Sequence, residues 1–191
     1  MTTGEVHYDR QRLIDLLQRD SLKRGAFTLA SGRTSHYYVD GRKVTLSAGG
    51  AAVIGAGVLE RLSGYPDVQA VGGLTMGADP IVGATLALAG IGRGDLRGFL
   101  VRKEAKTHGT GSRIEGPLEP GTTVAILDDV ATTGGSSLQA VEAVEAIGCR
   151  VAVVIVVLDR LEGAAAAFEA RGLPFEALLT IRDLGVEPAA V

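Results

Sequence analysis

The stretch VAILDDVATTGGSS, residues 124–137, decides how the chain is read. An apolar run leads into adjacent carboxylates at Asp128 and Asp129, and a cluster of hydroxyls and glycines follows at once. A strand that delivers two acids to the rim of a sheet and then turns into a helix suits a particular ligand. Carboxylates are acceptor-only groups and take the vicinal hydroxyls of a sugar. Behind them, Gly134 and Gly135 let backbone amides approach an anion, Thr132, Thr133 and Ser136 add donors, and a helix N-terminus favours negative charge. A phosphorylated sugar would be held at both ends. The bland alternative is a strand–turn–helix junction in which Asp and Ser serve only as helix caps. The pattern is neither a Walker loop nor a dinucleotide fingerprint, because no G-x-x-x-x-G-K-[ST] occurs and no G-x-G-x-x-G follows the first strand.

Outward from this stretch, strands and helices alternate. Residues 68–74 (VQAVGGL), 96–103 (LRGFLVRK), 122–129 (TTVAILDD), 150–160 (RVAVVIVVLDR) and 174–181 (PFEALLTI) read as strands. The run at 150–160 has almost no polar alternation, as expected of a strand buried on both faces. Helices are expected at 8–25, where Leu13, Ile14, Leu16 and Leu17 form an apolar side and Gly25 ends the pattern. Others follow at 48–62 behind a Ser47 cap, at 79–90, at 134–148 and at 161–172. Residues 27–46 suggest a hairpin around a Ser-Gly-Arg turn. This order implies one α/β domain over residues 1–191, built on a mostly parallel sheet flanked by helices. In such sheets ligands bind beyond the carboxyl ends of the strands.

Composition narrows the function. The chain has 191 residues, 46% hydrophobic and 21% charged, with net charge −3. That is ordinary for a soluble enzyme and argues against a nucleic-acid or membrane-surface partner. The single cysteine, Cys149, excludes a disulfide framework and fits a reducing cytoplasm. No apolar run has membrane-spanning length, and the N-terminus does not read as a signal peptide.

Two further stretches fall at strand ends. GGLTMGADP (72–80) offers backbone amides around Thr75 and Met76 to an anion such as pyrophosphate, or it is a tight turn before a helix. RKEAKTHGTGSRIEG (102–116) concentrates Arg102, Lys103, Lys106 and His108 within an acidic protein. Cations there would stabilise a departing pyrophosphate, and the glycines would let the loop fold over a ligand and reopen. A solvated basic loop is the alternative.

VAILDDVATTGGSS closely resembles the phosphoribosyl-diphosphate (PRPP) signature of type I phosphoribosyltransferases, and RKEAKTHG resembles the catalytic loop of the orotate phosphoribosyltransferases among them. The resemblance spans about residues 8–185 and implies the type I phosphoribosyltransferase fold. Residues 1–45 would form part of a small N-terminal hood over the base, and about 104–116 a mobile catalytic loop. It implies that Asp128, Asp129, Val130, Ala131, Thr132, Thr133, Gly134, Gly135 and Ser136 hold the ribose 5-phosphate. Thr75 and Met76 would meet the pyrophosphate, and Lys106, His108, Lys103 and Arg102 would act in catalysis. For orotate it implies Tyr37, Tyr38, Thr132 and Arg160. From the residues alone, the tyrosines are equally core aromatics of a hairpin, and Arg160 an ion-pair partner of Glu162. The implied reaction joins orotate to PRPP, giving orotidine 5'-monophosphate and pyrophosphate in pyrimidine synthesis. Mg²⁺ would ride mainly on the ligand's own oxygens, with no dedicated protein metal site. A homodimer sharing loop residues is also implied. The chain departs from the family at Ala30 and Met76, where many members carry lysine. A phosphoribosyltransferase for another base, or a PRPP-binding regulator without catalysis, are the competing readings.

Overall fold

The structure is a computed structural model that describes residues 7–28, 34–92, 94–104 and 113–188. Helix α1 (Arg10–Leu16) is capped by Asp9, whose carboxylate accepts from the Arg12 amide. It runs into one π-helical turn, Leu17–Ser21, and stops there. The apolar period alone predicts an end near Gly25. Instead Ser21 donates its hydroxyl to the Asp40 carbonyl, and Leu22 already pairs with Val39. Pairing to a distant strand overrides helix propensity. Strands β1 (Leu22–Thr28) and β2 (Thr34–Val39) form the expected antiparallel hairpin.

After a short helix α2 (Arg42–Thr45), α3 (Ala48–Leu62) starts at Ser47, whose hydroxyl accepts from the Gly50 amide. The main sheet is then built in turn. Strand β3 (Ala70–Leu74) leads to α4 (Asp79–Gly92), and β4 (Arg97–Val101) leads to the basic segment. A two-residue strand β5 (Ile114–Glu115) closes that segment, although nothing in its composition marks a strand. Then come β6 (Thr123–Ala131), α5 (Gly135–Glu145), β7 (Arg150–Asp159), α6 (Ala164–Glu169) and β8 (Phe175–Thr180). Sheet order is β5-β4-β3-β6-β7-β8, parallel throughout except for β5.

Each central strand feeds two cores, because successive side chains point to opposite faces. Ala125 and Leu127 join α1, α3 and α4 on one face, while Val124 and Ile126 join α5 and α6 on the other. A bulge on β7 places Ala152 between the partners of Val124 and Ala125, which keeps Val153 and Ile155 on the same face as Leu127. No helix among the described residues is long and apolar enough to cross a membrane.

Candidate active site

Because β3, β4, β6 and β7 run parallel, their carboxyl ends open on one edge of the sheet. Residues 75–77, 102–104, 128–137 and 160–162 meet there. Strand β6 does not stop at the acid pair; it continues to Ala131 because Val130 and Ala131 pair with Leu158 and Asp159. Asp128 is consequently only 6% exposed. Its Oδ2 accepts from the Ser137 hydroxyl at 2.8 Å, and its Oδ1 from the Asp129 amide at 3.0 Å. Asp129 Oδ1 accepts from the Val130 amide. Burial, and then the neighbouring charge of Asp129, push the Asp128 carboxyl up to about 7. Asp129 is raised too, mainly by burial, with Arg42 among the groups that work against the rise.

Two glycines press on this pair. A Cβ at Gly77 would stand 2.8 Å from an Oδ1 of both aspartates, and one at Gly41 would stand 3.0 Å from Asp129 Oδ2. The turn after β3 and the exit of the hairpin therefore close on the carboxylates without a side chain between. They enclose a cavity of about 250 Å³ lined by Tyr38–Arg42, Leu74–Gly77, Lys103, Asp128–Val130 and Ser136.

Behind the acids lies a second hollow of about 310 Å³, bounded by Asp128, residues 130–137 and Gln139. Gly134 has φ of 81° and opens α5 with no side-chain cap. The first amides of α5 are thus not taken up by a cap, as an anion site requires. A third hollow, about 310 Å³, is lined by Thr75, Met76, Arg102, Lys103 and Glu104. Thr75 is tied to β4 through its amide and the Val101 carbonyl, and Met76 is 68% exposed. Arg102 faces Glu115 at 3.6 Å. Lys106, His108, Gly109, Gly111 and Ala30 lie outside the described residues.

The tyrosine pair divides. Tyr38 is half-exposed, with its ring 5.8 Å from that of Phe27, and lines the cavity with the acids. Tyr37 is 2% exposed and sits where the hairpin-core reading put it. Its hydroxyl donates to Glu162 Oε1 at 3.0 Å and accepts from Arg160 Nε at 3.3 Å. Burial raises its phenol above the ordinary range, opposed by Arg160 and reinforced by Glu162. Arg160 does pair with Glu162, at 2.8 Å. Its amide also binds the Ala131 carbonyl, which sets it beside Thr132.

Sequence reasoning missed Ser137 as a partner of Asp128, although it closes the quoted motif. It also missed Gly41 and Arg42, which only the path of the hairpin brings to the site.

No model of a known protein family matches the sequence. Individual relatives do. The orotate phosphoribosyltransferase of Rhodopirellula baltica is 47% identical over 194 residues, covering 98% of this chain and 100% of the relative. That of Thermosynechococcus vestitus is 49% identical and covers 92% of each. The crystal structure of Mycobacterium tuberculosis H37Rv orotate phosphoribosyltransferase in complex with PRPP matches with a TM-score of 0.80 and 41% identity, over 93% of this chain and 99% of that one. These relatives match over nearly their whole length at 41–49% identity, and the chain belongs to the orotate phosphoribosyltransferase family.

Proposed function

We infer that this protein transfers the 5-phosphoribosyl group of PRPP to orotate, giving orotidine 5'-monophosphate and pyrophosphate in pyrimidine biosynthesis. The observation that carries the reading is the junction at 128–137, where the buried carboxylate of Asp128 and the half-buried one of Asp129 stand against an uncapped helix N-terminus. Asp128 and Asp129 accept the ribose hydroxyls. Val130, Ala131, Thr132, Thr133, Gly134, Gly135 and Ser136 surround the 5-phosphate. Thr75, Met76, Arg102 and Lys103 face the pyrophosphate, and Lys106 and His108 complete the cationic lid. Tyr38, Thr132 and Arg160 form the base site, with Tyr37 acting on it through Arg160.

The C1–O bond to pyrophosphate breaks and a C1–N1 bond to orotate forms, with oxocarbenium-like charge on the ribose between. Orotate N1 gives up its proton before attack, so no strong protein base is needed. The chain's part is to align the reactants and to neutralise the leaving group. The donor set suits Mg²⁺, since two adjacent hard carboxylates, both raised mainly by burial and Asp128 also by the charge of Asp129, are relieved by a neighbouring cation. Carried mainly on PRPP oxygens, with Asp128 and Asp129 behind it, the ion would add positive charge to the departing pyrophosphate.

Residues 1–191 act as one domain, with about 1–45 contributing the hood and about 104–116 the lid. The enzyme works in the cytoplasm as a homodimer that shares lid residues, and takes small-molecule substrates only. The test mixes purified protein with Mg²⁺, PRPP and each of orotate, uracil, hypoxanthine and adenine. We expect loss of orotate alone, slowed about 10²–10³-fold by Lys106→Ala. Consumption of another base would reject the base site, and PRPP binding without turnover would favour a regulator. A monomer in sedimentation of the same sample would remove the shared lid.

A further inference from the structure

Arg160, Glu162 and Tyr37 form a buried polar group at the end of β7. Arg160 and Glu162 are 7% and 5% exposed, and Tyr37 reaches them from a hairpin more than 120 positions earlier in the chain. Burying an ion pair costs desolvation that its Coulomb attraction often fails to offset, so such a pair is weak evidence of a stabilising device. Its geometry is more informative. Nε of Arg160 donates to the Tyr37 hydroxyl, Nη2 stands 2.8 Å from Glu162 Oε1, and the guanidinium lies 4.8 Å from the centre of the Tyr37 ring.

Nε and Nη2 share one side of the planar guanidinium. Both contacts therefore grip the same side and fix the plane, leaving the Nη1 end outside the network. The grip is incomplete as well. Nη2 is buried, and despite its closeness to Glu162 it has no well-aligned acceptor. A buried donor without an aligned partner is costly and rare. The backbone of Arg160 lies on the edge of the sheet where the site opens, its amide bound to the Ala131 carbonyl next to Thr132.

We propose that Glu162 is a positioning residue: with the Tyr37 hydroxyl as a bridge, it holds the Arg160 guanidinium in the orientation that reads the carboxylate of an anionic base. This rests on Arg160 as the base-facing cation. A negative charge placed behind Arg160 weakens its pull on an anion, so two roles predict opposite signs. If Glu162 only attenuates charge, removing its charge tightens orotate. If it positions, removal loosens orotate although the site becomes more positive.

The test compares steady-state constants of Glu162→Gln, Tyr37→Phe and Arg160→Lys with those of the unaltered enzyme, at saturating Mg²⁺. We expect Glu162→Gln to raise the KM for orotate about tenfold while the KM for PRPP moves less than about threefold. Tyr37→Phe moves orotate in the same direction by less. In the Arg160→Lys background, Glu162→Gln adds less than about twofold, because its effect passes through the guanidinium. Equal rises in both KM values, or a lower KM for orotate, would overturn the proposal. If Arg160→Lys leaves the KM for orotate unchanged, the base site itself is misassigned and the proposal falls with it. If Arg160→Lys raises that KM and neither other variant does, this proposal alone fails. Should Glu162→Gln not fold, Tyr37→Phe decides by the same ratio.

Discussion

At the scale of single residues, Asp128 is held against its own chemistry. Its carboxylate is almost wholly removed from water, stands beside a second carboxylate, and has the Ser137 hydroxyl and the Asp129 amide as donors. Those two bonds favour the charged form but do not outweigh burial, and the carboxyl titrates near 7. In the unfolded chain it would titrate near its ordinary value of about 4. The folded state therefore holds the proton more tightly, and stability present below the unfolded pKa is lost as pH rises from about 4 through about 7. In the absence of ligand and metal, we expect thermal stability to fall across that window by an amount on the order of a few kcal/mol. Asp128→Asn should flatten the curve and raise stability at pH 8, while weakening PRPP binding. A variant that melts in parallel with the unaltered protein at every pH would show that Asp128 is not the source. The two acids and the hydroxyls after them were plain in the sequence. Their burial was not, since it depends on β7 extending β6 to Ala131 and on two turns that arrive from elsewhere.

Among the elements, α5 shows how a turn is made available to an anion. Its N-cap position is Gly134, with positive φ and no hydroxyl to occupy the first amides. The same glycine rests on the buried ring of Phe168, where a Cβ would lie 3.0 Å from Cζ. An alanine there takes up left-handed strain and crowds α6 at once. We expect Gly134→Ala to cost about 1–3 kcal/mol in chemical denaturation and to weaken PRPP binding more than orotate binding. Unchanged stability with unchanged PRPP affinity would deny the turn its role. The long apolar runs made β3, β6 and β7 legible, and Ser47 marked the start of α3. Strand β5 was hidden because two residues carry no periodicity, and only their pairing with β4 defines them. The end of α1 was misplaced for a related reason: Leu22–Gly25 look helical alone but are claimed by β2.

For the molecule as a whole, the two ends of the described chain are sewn together. Arg10 pairs with Asp183 at 2.7 Å, the Gln18 amide donates to the Leu184 carbonyl, and Arg24 reaches the carbonyls of Leu184 and Gly185. Leu184 itself is fully buried in the core that includes α1 and Tyr37. The hairpin bearing Tyr37 and Tyr38 is thus held from the far end of the sequence. Leu184→Ala should destabilise the fold by about 2–5 kcal/mol. In hydrogen exchange we expect amides of β1 and β2 to lose more protection than those of β6 and β7. Uniform loss across the sheet would mean that the hairpin has no separate dependence on this contact. None of these links is visible in the sequence, where the partners stand about 160 positions apart.

The contacts of Gly41 and Gly77 with the acid pair have a bearing on how the enzyme can be altered. The space in front of the two carboxylates is bounded by hydrogen atoms on two Cα carbons, and the first added methyl group would take it away. Tyr38 borders the same hollow with an exposed ring, and shortening that ring adds room without touching the carboxylates. Re-engineering for a bulkier acceptor therefore has a free wall and a fixed one. Room can be added from the hairpin side, whereas the wall against the carboxylates is already at the smallest residue the genetic code provides.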